Sequence, residues 1–170
     1  MNKILKMDKI RYAKRISLPK FQKYYRKIQS DRIFVLKCFH KLLFNYYKKK
    51  RLIELSEMTQ IGEGLYMGHA YCITINPNVV IGKNCNIHKG VTIGQENRGV
   101  RKGCPKIGNE VWIGVNTSIV GNIKIGNDVL IAPNTFVNCD IPSHSIVIGN
   151  PCIIKHCDHA TKGYINRKVD

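Results

Sequence analysis

The chain has 170 residues and a formal net charge of +17, and most of that charge lies at one end. Residues 1–51 carry 17 Lys and Arg against the two acids Asp8 and Asp31, a net charge of +15, which leaves +2 for the rest. Without a basic groove along the whole chain, nucleic-acid binding is not expected. No apolar run is long enough to cross a bilayer and no signal peptide is evident, so we expect a cytoplasmic protein.

Residues 1–53 are predicted to form a basic helical extension. Ser17-Leu18-Pro19 and Ser30-Asp31 are typical helix starts. After Asp31, apolar residues recur at helical spacing, which predicts a helix that packs on the structure that follows and covers its open end. These residues are Ile33, Leu36, Phe39, Leu43, Tyr46 and Tyr47. The excess positive charge also suggests that residues 1–51 contact anionic lipid at the inner membrane face.

From residue 54 onward the sequence follows a six-residue period. β-branched residues, which favour extended backbone, return at every sixth place in two registers separated by an interruption. They are Ile75, Ile81, Ile87, Ile93, Ile107, Ile113, Ile119, Ile125, Ile131 and Val137. Gly, Asn and Asp between them favour turns. Each unit therefore predicts a short strand and a corner, and three units make one triangular coil that pairs in parallel with the next at about 4.8 Å. A β-sandwich would show drifting spacing instead.

Several motifs go beyond the bare period. They are I-G-E-G-L-Y-M-G-H-A at 61–70, V-T-I-G at 91–94, C-P-K-I-G at 104–108 and D-I-P-S-H-S-I-V-I-G-N-P at 140–151. With them the chain resembles the hexapeptide-repeat acyltransferases, and within that family the serine acetyltransferases and their relatives that acetylate bacterial polysaccharides.

The resemblance implies a mainly β fold, a left-handed parallel β-helix of hexapeptide repeats over residues 54–155. The short α-helical extension precedes it and a tail at 156–170 follows. The family likeness also implies a homotrimer that uses acetyl-CoA as co-substrate.

His69, in M-G-H-A, stands where the resemblance places the catalytic histidine, just before the register slips from Met67 and Ile73 to Ile75. An imidazole can take the proton of a hydroxyl as that hydroxyl attacks the acetyl thioester, so direct transfer without an acyl-enzyme is expected. Fifteen residues earlier, where serine acetyltransferases have an aspartate that orients the histidine, stands Glu54. Its alternative is a structural role beside Arg51. His88 follows Ile87 and is expected to point out of the coil, where it supports substrate binding rather than the chemistry.

A loop over 95–106 is the second informative feature, because Ile93 and Ile107 are fourteen residues apart, eight more than one unit. Serine acetyltransferases have a loop of the same length that ends Arg-His-Pro-Lys, and the Arg-His pair helps to hold the carboxylate of the amino acid. This loop ends Gly103-Cys104-Pro105-Lys106, which favours another acceptor. Loop residues expected to contact substrate or phosphates are Arg98, Arg101, Lys102 and Cys104. Cys104 is not favoured as an acyl-carrying nucleophile, because no base stands beside it in the sequence.

By the same resemblance, coenzyme A lies in a groove between neighbouring β-helices of the trimer and is held mainly by backbone groups at coil corners. The corresponding positions are Gln95, Gly114, Val115, Ala132, Pro133 and Lys155. Val115 and Pro133 depart from the usual small residue, and proline lacks one N–H donor.

No metal is predicted. The zinc carbonic anhydrases that share this fold need an H-x₄-H pair, and no two of the six histidines here are five apart. The tail holds Cys152, His156, Cys157 and His159, but four ligands within eight residues give poor zinc geometry, so we interpret them as a chance cluster in a frayed tail. The seven scattered cysteines are expected to be reduced.

The sequence thus predicts an acetyl-CoA-dependent O-acetyltransferase that acts on a sugar hydroxyl of a polysaccharide or its precursor. One alternative is a serine O-acetyltransferase, although those enzymes carry a longer helical N-terminal domain. The other alternative is a non-catalytic scaffold that binds membrane or nucleic acid through residues 1–51.

Overall fold

A computed structural model describes residues 2–12 and 16–170, and it consists of three helices followed by a β-helix. The helices are α1 (Lys3–Arg11), α2 (Lys20–Ser30) and α3 (Phe34–Lys49). Pro19 is the N-cap of α2, which agrees with the predicted helix start, whereas α3 begins three residues after Asp31. The sequence pattern had not indicated α1.

The β-helix has three faces, each formed by one sheet, and the chain visits them in turn. The first face holds β1 (Gln60–Ile61), β4 (Val80–Ile81), β7 (Lys106–Ile107) and β10 (Lys124–Ile125). The second face holds β2 (Tyr66–Gly68), β5 (Asn86–His88), β8 (Val111–Ile113), β11 (Val129–Ile131), β13 (Ser145–Ile148) and β14 (Ile153–His156). The third face holds β3 (Thr74–Ile75), β6 (Thr92–Gly94), β9 (Ser118–Val120) and β12 (Phe136–Val137). All pairs are parallel except β13 with β14, which closes the C-terminal end of the described part.

Strand register confirms the six-residue period. Equivalent sites of successive coils lie opposite one another, as in Ile81 with Ile107 and Ile87 with Ile113. All ten predicted β-branched sites point into the prism and are at most 4% exposed. Full burial of one such side chain contributes about 1.5–3 kcal/mol, so each residue of this column stabilises the fold substantially. The predicted fold class, a mainly β parallel β-helix of hexapeptide repeats preceded by helices, is confirmed.

The corners between faces depend on residues that adopt the left-handed backbone region. At the first corner, between the first and second faces, Asn84, Glu110, Asp128 and His144 have φ values of 53–58°. The N–H of each donates to a carbonyl of the preceding coil at 2.8–3.0 Å. Corners are therefore paired from coil to coil, as the strands are.

Helices α1 and α2 cover the first coil with a buried polar network. Arg26 donates from Nη1 to the Ile61 carbonyl at 2.7 Å and from Nη2 to the Gly62 carbonyl at 2.6 Å. Asp8 accepts from Arg26 Nε at 2.8 Å and from the N–H of Leu65 at 3.0 Å. The network satisfies backbone groups that have no coil below them to pair with, so α1 and α2 cover the open end of the first coil.

The prediction that the apolar residues after Asp31 pack on the first coil is wrong. Ile33, Leu36, Phe39 and Tyr46 are exposed, whereas α3 packs on α2 through His40 and Phe44. The cap is made by α1 and α2, which leaves the apolar side of α3 uncovered in the single chain.

The prediction of a frayed tail is also wrong, because residues after β14 fold back along the second face. Ile165 and Val169 are buried. Asn84 donates from Nδ2 to the Val169 carbonyl at 2.8 Å and accepts from the Val169 N–H at 2.9 Å. Asn86 donates from Nδ2 to the Tyr164 carbonyl at 3.2 Å. The tail is therefore part of the folded structure.

Candidate functional site

His69 lies at the second corner, between the second and third faces, where the first coil is longer than the others. Eight residues rather than six separate Met67 from Ile75, yet Met67 pairs with Ile87 and Ile75 with Ile93. The two additional residues form a wider corner in which His69 has a φ of 50°. Its side chain is exposed and available to a substrate. The predicted slip of register at this point is confirmed.

His88 lies beside this corner and points outward, as predicted. It is half-buried, pairs with Gly68 across β2 and β5, and packs against Trp112 with ring centroids 4.6 Å apart. Its Nδ1 lies 2.9 Å from the carbonyl of Ile113, so it donates and leaves Nε2 as the acceptor of the neutral ring. Burial lowers the pKa of His88, the Ile113 hydrogen bond opposes this, and the charge of His69 lowers it further. His88 is thus a neutral neighbour of the exposed histidine.

Glu54 lies at the start of the β-helix, on the third-face side. Its backbone forms a single parallel bridge with Thr74, in which Glu54 N–H donates to the Ile73 carbonyl at 2.8 Å. Its side chain is exposed, and within the described chain no hydrogen bond joins it to the His69 ring. A role for Glu54 in orienting His69 stays a prediction.

The loop after β6 is exposed to solvent, and a backbone pair at its base closes it. Glu96 and Gly103 exchange two backbone hydrogen bonds at 2.9 and 3.0 Å, and a short 3₁₀ turn lies between them at Gly99–Arg101. The eight additional residues are confirmed by the pairing of Ile81 with Ile107. Three predicted contact residues of the loop are exposed, and they are Arg98, Arg101 and Lys102.

Cys104 is half-buried at the base of the loop. Its Sγ lies 3.3 Å from Asn76 Oδ1 and 3.9 Å from Gln95 Oε1. Burial raises the pKa of the Cys104 thiol, which keeps the thiol protonated near neutral pH and makes it a poor nucleophile. The position and raised pKa of Cys104 therefore suit a structural residue at the base of the loop better than a covalent carrier of the acyl group.

The predicted cofactor positions fall at three places in the single chain. Gly114-Val115 and Ala132-Pro133 are at the second corner of successive coils, where Asn134 N–H donates to the Val115 carbonyl at 2.8 Å. Gln95 lies instead at the third corner, where Nε2 donates to Asn97 Oδ1 at 2.6 Å. Lys155 is exposed on β14, opposite Ile146. One chain thus brings His69 and the two corner pairs to the same edge and leaves Gln95 on another.

The tail residues considered for zinc do not form one cluster. Cys152 Sγ lies 3.8 Å from Cys139 Sγ, His156 faces Asp158, and His159 lines a separate cleft with Asp128 and His144. Across residues 2–12 and 16–170, no group of three or more His, Cys, Asp or Glu is placed to hold a metal ion.

A cleft on the second face was not predicted from the sequence. Tyr66, Trp112 and Tyr164 supply aromatic walls, and Arg11 reaches it from α1. The strand positions of Tyr66 and Trp112 predict outward side chains, because each neighbours an inward site of the period. No signal in a uniformly basic N-terminus distinguishes Arg11 from its neighbours.

Comparison with known proteins agrees with this architecture. The family model described as bacterial transferase hexapeptide (six repeats) matches residues 104–139. "Serine acetyltransferase 2" of Arabidopsis thaliana is 37% identical over 99 residues, which cover 58% of this chain and 31% of that protein. "Putative colanic acid biosynthesis acetyltransferase WcaB" of Escherichia coli K12 is 40% identical over 103 residues, which cover 60% of this chain and 62% of that protein.

Among solved structures, a serine acetyltransferase in complex with CoA superposes with a TM-score of 0.66 at 27% identity, covering 79% of this chain and 55% of that one. The resemblance to hexapeptide-repeat acyltransferases is confirmed. The chain spans less than two thirds of the length of both curated relatives.

Proposed function

We propose that this hexapeptide-repeat protein is an acetyl-CoA-dependent O-acetyltransferase with His69 as its general base. The observation that carries the proposal is that His69, Val115 and Pro133 occupy the same edge of the prism. At about 4.8 Å for each coil, Val115 is about 10 Å and Pro133 about 14 Å along that edge from His69. An extended pantetheine arm held at these corners would bring its thioester toward the imidazole.

In the proposed reaction, the neutral His69 imidazole accepts the proton of the acceptor hydroxyl as the oxygen attacks the thioester carbonyl. The tetrahedral intermediate collapses, the carbon–sulfur bond breaks, and the imidazolium returns the proton to the coenzyme A thiolate. Glu54 would orient the ring if its side chain turns toward it when substrate binds. We expect Gln95 and the loop to reach this edge from a neighbouring subunit of a homotrimer.

We infer that the acceptor is a sugar hydroxyl of a polysaccharide or its precursor. Gly103 has a φ of 133°, and a Cβ there would lie 3.0 Å from Asn122 Cβ, so this loop disfavours a side chain where serine acetyltransferases have arginine. The similarity to the colanic acid enzyme points the same way. The second candidate, serine acetylation, is favoured by the similarity to serine acetyltransferases.

Release of free thiol from acetyl-CoA tests the base. His69→Ala should lower the turnover number roughly 10²–10⁴-fold, the usual contribution of a general base. His159→Ala is the matched control, since His159 is also exposed and has a φ of 57°. Equal activity of the two variants would contradict the assignment of His69. No thiol release with any acceptor would favour the non-catalytic scaffold.

A panel of acceptors separates the two enzymes, because mass spectrometry detects an added acetyl group on oligosaccharides, nucleotide-sugars or serine. Acetylation of serine alone would overturn the sugar assignment. Light scattering on the purified protein tests the trimer, and a monomer that retains full activity would contradict a shared site.

We further propose that α3 contacts anionic lipid at the inner face of the membrane. Phe34, Val35 and Leu42 are 78%, 75% and 69% exposed. No acid occurs between Asp31 and Glu54, and of the lysines of this helix Lys41 forms an ion pair with Glu57. An exposed apolar side bordered by lysine is typical of helices that lie in the membrane interface. No helix within the described residues is long and apolar enough to span a bilayer.

Flotation with liposomes tests this contact. We expect recovery with vesicles that contain acidic lipid and little with zwitterionic vesicles, and we expect Phe34→Ser to reduce recovery. Val100→Ser, at a site 99% exposed on the loop, is the control. Equal recovery from both kinds of vesicle rejects the proposal. It is also rejected if Phe34→Ser dissociates an oligomer but leaves flotation unchanged, because α3 would then be a contact between subunits.

A further inference from the structure

Arg11 is a buried cation whose hydrogen bonds all go to neutral groups. The residue is 3% exposed. Nη1 donates to the Gly64 carbonyl at 3.1 Å and to Asn84 Oδ1 at 3.2 Å, and Nη2 donates to Asn86 Oδ1 at 2.6 Å. Nε is buried and has no hydrogen-bond partner among the described residues. A buried charge is normally paired or neutralised, so this arrangement is incomplete.

The acids near Arg11 are engaged elsewhere. Asp8, on the same helix, is bound by Arg26 Nε and by Gln22 Nε2 at 2.8 and 2.9 Å. Glu110 forms an ion pair with Lys168. Burial lowers the pKa of Arg11, and the more distant charges of Asp8 and Glu110 only partly oppose this. In the described chain, no carboxylate forms an ion pair with the guanidinium.

Arg11 borders the cleft on the second face, which has a volume of about 250 Å³. Arg167 and His88 also line it, and among the described residues none of the lining side chains is acidic. Drug-sized ligands usually occupy about 300–1,000 Å³, so the cleft suits a group no larger than one sugar residue. Trp112 and Tyr164, with ring centroids 5.2 Å apart, offer the aromatic surface that commonly packs against a sugar ring.

The cleft is adjacent to the proposed catalytic corner. His88 lines it, and Gly68, which pairs with His88, is the residue before His69. His88 therefore joins the cleft to the corner that holds the proposed base.

We propose that this cleft binds the anionic group, a carboxylate or a phosphate, of a sugar residue in the acceptor, with Arg11 and Arg167 as its counter-charges. The inference rests on the proposed function and narrows its substrate class to acidic or phosphorylated saccharides. Arg11 is a binding residue under this proposal, and its Nε supplies a donor that the protein leaves unused.

The single tryptophan of the chain, Trp112, lines the cleft, so its fluorescence reports occupancy without any need for turnover. The full chain is titrated with glucuronate, with glucose 6-phosphate and with neutral glucose at constant ionic strength. We expect a saturable change with at least one anionic sugar and none with glucose. The two anions distinguish a carboxylate from a phosphate site. No saturable change with either anion, or an equal change with glucose, overturns the proposal.

Two variants sharpen the result. Arg167→Gln replaces an exposed residue and should weaken binding about tenfold, the loss expected of one charge-assisted hydrogen bond. Arg11→Lys keeps the charge, removes the planar fork, and should weaken binding at least as much. Unchanged affinity in Arg167→Gln overturns the proposal even if Arg11→Lys does not fold. His69→Ala should bind the anion with unchanged affinity, because the cleft does not include His69. If the wild-type protein binds the anion but transfers no acetyl group, the proposed function is refuted and the cleft assignment stands.

Discussion

Asp128 holds the C-terminal tail against the β-helix, and Asp128→Asn tests how much that attachment contributes to stability. Its side chain is 13% exposed at the first corner of the fourth coil. Oδ1 accepts from the N–H and Oγ1 of Thr161 at 3.0 and 2.7 Å. Oδ2 accepts from the N–H of Ala160 at 3.0 Å and from Nδ1 of His144 at 3.0 Å. Asparagine has the same shape but no charge, and it replaces one acceptor oxygen by an NH₂ donor.

The size of the effect follows from the pKa of Asp128. Burial alone would raise this pKa, but the hydrogen bonds from Thr161, His144 and Ala160 outweigh burial and lower the pKa from 3.8 to about 2. A depression of about 1.8 pH units, at 1.36 kcal/mol for each, corresponds to roughly 2 kcal/mol. Solvent screening reduces this to about 1–2 kcal/mol. Because the pKa is lower in the folded state, the stabilisation is present above pH 3.8 and is lost as the pH falls toward 2.

Urea unfolding followed by circular dichroism measures the difference. At pH 7, Asp128→Asn should lower the free energy of unfolding by about 1–2 kcal/mol, and the gap should fall to about half at pH 3. The matched control is Asp158→Asn, in the same tail but with a side chain 78% exposed, which should change stability by less than about 0.5 kcal/mol. No gap at pH 7, or a gap as large at pH 3 as at pH 7, would refute the reasoning.

Two further substitutions test the core and the cap. Ile113→Ala removes a fully buried side chain and should lower the free energy of unfolding, measured in urea, by about 2–5 kcal/mol. Ile153→Ala, at a site 62% exposed, should have little effect. Similar losses in the two variants would contradict the stabilising role of the buried column. Arg26→Met leaves the buried Asp8 without its partner and should cost about 3–5 kcal/mol, measured in the same way, so a neutral result would mean that the cap adds little.

The β-helix could be predicted from the sequence because its pattern is local. Ile81, Ile87 and Ile93 repeat at six residues, and each strand from β1 to β13 pairs with the equivalent strand of the neighbouring coil. The spacing of the inward residues, the positive-φ corners and the burial pattern all recur with the same six-residue unit. Recognising that unit is therefore enough to predict the whole β-helix. The wide corner at His69 and the loop after β6 were visible as breaks in that period.

The helices and the tail could not be predicted in the same detail, because their burial depends on which surface of the prism they meet. Phe39 and Phe44 are both apolar members of α3, yet only Phe44 is buried, since α3 meets α2 rather than the first coil. The tail packs through Ile165 and Val169, two apolar residues in an otherwise polar segment. Such docking is a tertiary property that spacing alone does not specify.

The candidate site could be predicted only in part. His69 and the corner pair Gly114-Val115 were proposed from the family resemblance that the surrounding motifs carry, and the structure places both at the second corner. Arg11 comes from a segment with no repeat and reaches the second face through α1. Residues that one coil supplies can be placed from the sequence. Residues that a distant segment supplies need the structure.

The length of the connection between β6 and β7 bears on how such proteins diversify. A plain coil of three units would place 18 residues between Ile81 and its partner, and the loop raises this to 26. The entropic cost of closing the longer segment is greater by only about 0.3 kcal/mol. The strands on either side of the loop keep their partners, so the β-helix tolerates different loop sequences. A dozen residues of this loop can therefore change in sequence while the strand pairing that stabilises the β-helix stays the same.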